Sequence, residues 1–320
     1  MTDVRLTLGK LSMGLVLPCG AAAVAWATVL AIGVWGGTAW AQDAMPGEPI
    51  DSSPESQTDD AGETGPDFDE RAVEIFEKHI EALGGRDLVF SVDKRTIRGT
   101  YEGSPLSFPG RLYMVLEAPN KMFWQISEPA GLSLTTVYNG ERGWNEVRQA
   151  LQEPQINWVL GDMLTDLVEC ASFYGESAYE VRYTKLELIG TADFYGTTCF
   201  VVRGMRTSGK VHLLMFDQET GLYKGARTGV RHPSGDVRAM DVRIGEWQEV
   251  DGVKVPKTMI QQFRGEPASN VFKMDRVTHE TDESLDWTPP AELGPYPELD
   301  ERNRPVAPAS SPSDEDQDEG

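Results

Sequence analysis

The spacing of hydrophobic residues changes period along this chain, and the changes mark its elements. From Asp69 to Leu83, Val73, Phe76, Ile80 and Leu83 recur at helical intervals, acids occupy the first turn, and Gly84-Gly85 offers a left-handed exit. That pattern predicts one amphipathic helix of about four turns. Beyond it the period falls to two, as in Arg95 to Tyr101 and Arg111 to Leu116, and strands are expected. Further alternating segments run from Lys121 to Ile126, Leu132 to Tyr138, Arg142 to Val147, Thr184 to Ile189, Cys199 to Met205 and Lys210 to Phe216. Leu222 to Val230, Ala239 to Gln248, Val253 to Phe263 and Asn270 to Thr278 complete the series. Asn139-Gly140 predicts a hairpin between its two flanking strands, and Asp217 to Gly221 and Glu249 to Gly252 read as turns.

One segment breaks the alternation. Within Glu153 to Phe173, Ile156, Val159, Leu160, Met163, Leu164, Leu167 and Val168 return to helical spacing, interrupted at Gly161. A helix set into a strand region can cap one mouth of the sheet. Short strands, brief polar turns and no regular alternation with helices exclude a doubly wound parallel sheet. The expected class is mainly β (α+β): a curved antiparallel sheet or incomplete β-barrel of roughly ten strands, with an N-terminal helix and an inserted lid helix.

The ends have a different character. Arg5 and Lys10 precede an uncharged apolar run from Leu11 to Ala39-Trp40-Ala41, the grammar of an export signal with cleavage before Gln42. The run is also long enough to span a bilayer, so residues 11–41 have the alternative of persisting as an inner-membrane anchor. Cys19 reads as an ordinary cysteine of that segment, because Pro18 is a poor residue before a lipid-attachment cysteine. Residues 42–68 form an acidic linker without Lys or Arg, and residues 300–320 an acidic, Pro-interrupted tail; both are expected to be disordered. The folded span is then 69–299, long enough for one sizeable core.

Most of the net charge of −22 lies in the linker and tail, leaving the span between them mildly acidic. Without a dense Lys/Arg patch, nucleic acid and anionic lipid headgroups are poor partners for that surface. Periplasm or cell envelope is the expected location. In an oxidising compartment Cys170 and Cys199 have two alternatives, a disulfide or two separately buried thiols.

Three stretches carry a family likeness: Gly110 to Tyr113, Ala118 to Ile126 and Tyr138 to Trp144. Their order and spacing resemble the LolA/LolB-like outer-membrane lipoprotein-sorting family, with paired strands around a Pro-Asn turn and an Asn/Asp-Gly hairpin leading to a Trp. Glu81 to Gly85, Asp217 to Leu222 and Val250 to Pro256 are similar to motifs of that family's larger bacterial relatives. The likeness covers most of the span from Asp69 to about Trp287. It implies an open half-barrel whose concave apolar face, covered by helices, shelters acyl chains of lipoproteins or related molecules. The sorting carriers place an arginine before the Pro-Asn turn, where it holds the lid. Ala118 stands there in this chain, so lid contacts have to come from elsewhere.

An acyl site needs a wide, deformable apolar wall with few fixed polar groups. Met114, Met122, Trp124, Met215 and Met259 on strands, with Trp158, Met163, Leu164 and Leu167 on the inserted helix, are the expected ligand-binding set. The competing reading is that they simply fill the core. No catalytic residues, cofactor or metal are expected: His79, His212, His232 and His279 are scattered, no Gly-x-Ser-x-Gly elbow occurs, and neither mature cysteine has a histidine neighbour. Arg98, Arg111 and Lys121 are candidates for a headgroup at the sheet rim, or ordinary solvent-facing positions. The expected function is an exported protein binding an acyl chain or lipoprotein, with a non-catalytic protein-docking module as the alternative.

Overall fold

The first amphipathic stripe folds as its spacing dictates in the computed structural model, which describes residues 65–106, 108–232, 236–280, 285–300 and 303–304. Helix α1 (Glu70–Leu83) is capped by Asp69, whose side chain accepts from the Arg71 N–H at 2.9 Å, and exits through Gly84 at φ +130°. A short helix α2 (Arg86–Ser91) follows. Before α1, Asp67–Phe68 forms a strand, β1, which corrects its assignment to the acidic linker. Phe68 finds the Tyr179 ring at 5.9 Å and Asp67 the Lys185 ammonium at 2.9 Å, partners that composition alone does not reveal.

Six strands come next: β2 (Lys94–Glu102), β3 (Gly110–Glu117), β4 (Lys121–Ser127), β5 (Ser133–Tyr138), β6 (Gly143–Arg148) and β7 (Gln155–Val159). After an intervening helical stretch there are seven more: β8 (Tyr183–Phe194), β9 (Thr197–Arg206), β10 (Val211–Asp217), β11 (Tyr223–Arg231), β12 (Val237–Val250), β13 (Val253–Phe263) and β14 (Asn270–Thr278). All lie in one sheet ordered β1-β8-β9-β10-β11-β12-β13-β14-β2-β3-β4-β5-β6-β7. Among the described residues only β1 pairs in parallel. The sheet is thus two antiparallel meanders joined where β14 pairs with β2, curved and unclosed, with β7 and β1 at its ends.

The turns follow their residues. The Asn139-Gly140 hairpin joins β5 and β6 as expected, with Asn139 Oδ1 accepting from the N–H groups of Glu141 and Arg142 and Gly140 at φ +99°. Asp217 Oδ1 likewise accepts from Glu219 and Thr220.

The helix expected over Glu153 to Phe173 is only partly formed. Gln155–Val159 is strand β7, paired with β6 so that Trp158 faces Trp144. Gly161, at φ +62°, then turns the chain into helix α3 (Asp162–Cys170). The apolar residues before Gly161 satisfied a helical template, but the open edge of β6 offered backbone partners and took them into the sheet. The chain leaves the sheet at one end after β7 and re-enters at the other end in β8. It crosses through α3, a 3-10 turn at Gly175–Ala178 and α4 (Tyr179–Arg182).

Alternation gives the sheet two faces. The inner face carries Leu112, Met114, Leu116, Met122, Trp124 and Ile126, opposed across the ladder and joined by Ile97, Met259 and Phe272 in one buried cluster. Helix α1 covers the same face farther along, where Phe76 and Ile80 pack on Val202, Leu214, Phe216 and Ala226. On the outer face, Trp144 and Trp158 meet the terminal segment: Tyr296 lies edge-on to Trp158 at 4.8 Å, and Trp287 sits under the Lys121 ammonium at 5.5 Å. The same segment continues to Asn303, whose carbonyl accepts from the Gly161 N–H at 2.5 Å and whose amide donates to Thr165 of α3 at 3.3 Å. Asn303 and Arg304 therefore belong to the folded body and not to the solvated tail. The rest of the acidic linker, the apolar first segment and residues 305–320 lie outside the described residues.

Phe76 has no solvent exposure and touches Phe216, Tyr179 and Tyr183 at centroid distances of 4.9, 5.0 and 6.0 Å. Phe76→Ala is expected to lower unfolding free energy by about 3–5 kcal/mol, read from urea denaturation midpoints.

Candidate functional site

The crossover puts α3 onto the inner face. Leu164 and Leu167 are buried in the cluster that holds Met114, Met122, Trp124 and Met259, and Met163 packs against it from a partly exposed position. Gly143 makes the close approach to β6 feasible: a Cβ there would stand 2.4 Å from Leu167 Cδ2. Seven of the nine wall residues expected from sequence therefore gather in one place. Two do not. Trp158 is on strand β7, on the outer face against Trp144 and Tyr296. Met215 is buried on the outer face of β10 with Phe194, Cys199 and Val201. Both follow from period-two alternation: shifting an element from helix to strand, or counting one residue along a strand, moves a side chain through the sheet.

The gathered side chains fill one another's space, with Met122, Trp124 and Leu167 wholly buried. This interior is nevertheless unlike an ordinary dry core. Trp124 Nε1 and Thr136 Oγ1, on directly opposed residues of β4 and β5, are buried without a hydrogen-bond partner, as are Trp247 Nε1, Arg95 Nε and both amide atoms of Gln261. Buried polar groups are nearly always satisfied.

Helix α3 is fastened on both sides. Toward β6 the contacts are apolar, with Asn303 at its first turn. Toward β9, β10 and α4 they are polar: Lys210 donates to Asp166 as an ion pair, Ser208 donates to Glu169 Oε1, and Arg182 Nη1 donates to the Glu169 carbonyl at 3.1 Å. These contacts hold α3 against the second meander. Sequence reading missed them, because Asp166 and Glu169, one helical turn from each other, lie off the apolar stripe and their partners come from across the sheet.

A charged centre lies just beyond. Glu176 Oε1 accepts from Arg206 Nη2 at 2.8 Å and lies 3.6 Å from Arg182 Nη2, while Tyr183 donates to Glu176 Oε2. The Arg206 guanidinium also stacks over the Tyr183 ring at 4.4 Å. Burial would raise the Glu176 carboxyl, but Arg206, then Arg182 and the Tyr183 hydroxyl, overcome it and hold the acid at about 2. Burial, then Arg206, depress His212 to about 3. His79 on α1, whose Nδ1 accepts from the Tyr223 N–H at 3.2 Å, is depressed by burial to about 4. No local pattern announced this centre, since its members are drawn from a turn, a short helix and two strands.

Cys170 and Cys199 form no disulfide. Cys170 packs from α3 against the inner cluster and Cys199 lies in the outer one, so the sheet separates them. Burial pushes both thiols up. The outer face also has an open hollow of about 500 Å³, bordered by Tyr195, Arg227, Asp241 and Arg264. Its buried acid, Asp241, is already engaged by Arg227 at 2.7 and 3.1 Å and by the Tyr195 hydroxyl at 3.1 Å. Among the described residues no group of His, Cys, Asp and Glu is arranged to hold a metal ion, and no helix is long and apolar enough to cross a membrane.

The depressed groups fix the sign of acid sensitivity. His79 and His212 titrate below their ordinary 6.5, so their contribution is complete above pH 6.5 and is lost as pH falls through about 4 and 3. Glu176 contributes fully above 4.5 and loses its contribution as pH falls through about 2. Urea midpoints should therefore fall steadily below pH 6.5, and less steeply in His79→Gln between pH 6.5 and 4. At pH 7, Glu176→Gln is expected to cost about 3–5 kcal/mol by leaving the guanidiniums unpaired, with the difference from wild type narrowing below pH 4.5.

No protein-family model matches the sequence, and no curated protein matches it. Among solved structures, the chain is similar to a DUF1329 family protein from Desulfovibrio piger at 11% identity and a TM-score of 0.46, over 69% of this chain and 96% of that one. It is similar to a LolA superfamily protein from Nitrosomonas europaea at 15% identity and 0.40, over 65% and 92%. A domain described as an outer membrane lipoprotein-sorting protein, from Vibrio parahaemolyticus, is similar at 10% and 0.39, over 67% and 94%. Likeness of this order concerns backbone architecture and says nothing of ligand or partner.

Proposed function

We propose that this chain is an exported, non-catalytic envelope protein that shelters an acyl chain, free or lipoprotein-borne, between the inner face of its half-barrel and α3. The observation supporting this reading is the inner face beneath α3: Met114, Met122, Trp124 and Met259 in one apolar cluster with Leu164 and Leu167, and Met163 packed against it. Unbranched methionines adapt to chains of varied shape. Because Met122, Trp124 and Leu167 are wholly buried, α3 has to lift before a chain enters. Each buried methylene contributes about 0.8 kcal/mol, so one half-buried chain offsets several displaced contacts. Export is read from Arg5, Lys10 and the apolar run ending at Ala41, with anchoring by residues 11–41 as the alternative.

The same complete burial favours a second reading, a protein-docking module whose interior is occupied by its own side chains. Native mass spectrometry of gently purified protein, with uptake of a fluorescent fatty acid, separates the two. Retained lipid and saturable uptake support the carrier; repeated absence of both leaves the docking module. In a carrier, Asn303→Ala, which removes the hydrogen bond from the terminal segment to Thr165, should speed uptake several-fold in a stopped-flow trace.

A further inference from the structure

We infer that the Arg206–Arg182–Glu176 centre receives an oxyanion, a carboxylate or phosphate group carried on an acyl chain, so that the sheltered molecule is an anionic amphiphile held head-first at β9. This rests on the carrier reading. Two guanidiniums share one carboxylate there. Arg206, with its side chain 5% exposed, uses Nη2 on Glu176, while its Nε and Nη1, and Arg182 Nε, are buried N–H donors with no acceptor. The nearby acids are engaged elsewhere: Glu169 accepts from Ser208, and Asp166 accepts from Lys210. His212, 4.0 Å from Glu169, faces the same space. The cation is already paired with Glu176, but buried N–H donors without an acceptor remain costly, and guanidinium forks match oxyanions in geometry.

Around the centre, Tyr223, Cys170 and His212 are each partly exposed. The centre adjoins the apolar wall through α3 itself, which presents Cys170 and Leu167 to the inner cluster and the Glu169 carbonyl to Arg182. A chain whose head lies at Arg206 would therefore run beneath α3 toward Met122 and Trp124.

The test compares oleate, methyl oleate, acetate and inorganic phosphate by isothermal titration of the described domain within the full chain. Oleate should bind at least about tenfold tighter than methyl oleate, the value of one charge-assisted contact. That ratio should collapse toward one in Arg206→Met and shrink in Arg182→Gln, whose side chain, 12% exposed, is less buried than that of Arg206; circular dichroism of each variant checks that it is folded. Equal binding of oleate and its ester by the wild type overturns the head-group assignment and leaves the carrier intact. Binding of neither overturns the carrier reading, and the inference with it. Acetate or phosphate binding as tightly as oleate would make the centre a small-anion site and also overturn the proposal.

Discussion

The path of the chain from β7 to β8 constrains everything else in this molecule. Those strands lie toward opposite ends of one sheet, so the connection between them has to cross a face of the curve, and a crossing segment buries its apolar side only by lying inside it. Helix α3 is that segment. Its Leu164 and Leu167 rest on β6 through the gap left by Gly143, and its acids reach the opposite meander at Ser208 and Lys210. A cover for the inner face is thus a consequence of connectivity, and the two kinds of fastening follow from which meander each side of the helix meets.

The inner face carries two different chemistries under that cover. Toward β4 it is wide, apolar and methionine-rich, with a few polar atoms left unsatisfied. Toward β9 it is ionic, with Glu176 kept charged by two arginines in spite of burial. Buried ion pairs of this kind contribute little net stability compared with a well-packed apolar substitute, although removing one partner is costly because it leaves the other charge buried. The terminal segment adds a further constraint by reaching from the outer-face tryptophans to the first turn of α3, which couples the cover to residues far along the chain.

Strands β2 to β6 and β8 to β14 were legible because turn chemistry and alternation agree: Asn139-Gly140, Asp217 to Gly221 and Asp251-Gly252 each stand between clear period-two runs. Helix α1 was legible from its stripe and its caps. The misreading of Gln155–Val159 has a plain cause, since five residues containing Ile156, Trp158 and Val159 fit either period, and a free sheet edge decides between them. Of the wall residues, those on β3, β4, β13 and α3 converge, whereas Met215 and Trp158 show that residue type without face assignment does not define a site.

Local pattern by itself determined that this chain makes a mainly antiparallel sheet with an amphipathic helix before it and a helical interruption within it, because hydrophobic period and turn residues act over a few neighbours. It also determined the sharp contrast between acidic ends and a mildly acidic body. Only the tertiary structure decided which face each methionine joins, that the two cysteines lie on opposite sides of the sheet, and that Arg182, Arg206 and Glu176 meet. Those outcomes depend on strand order and on where a crossing helix lands, and such long-range pairings leave no trace in the spacing of adjacent residues.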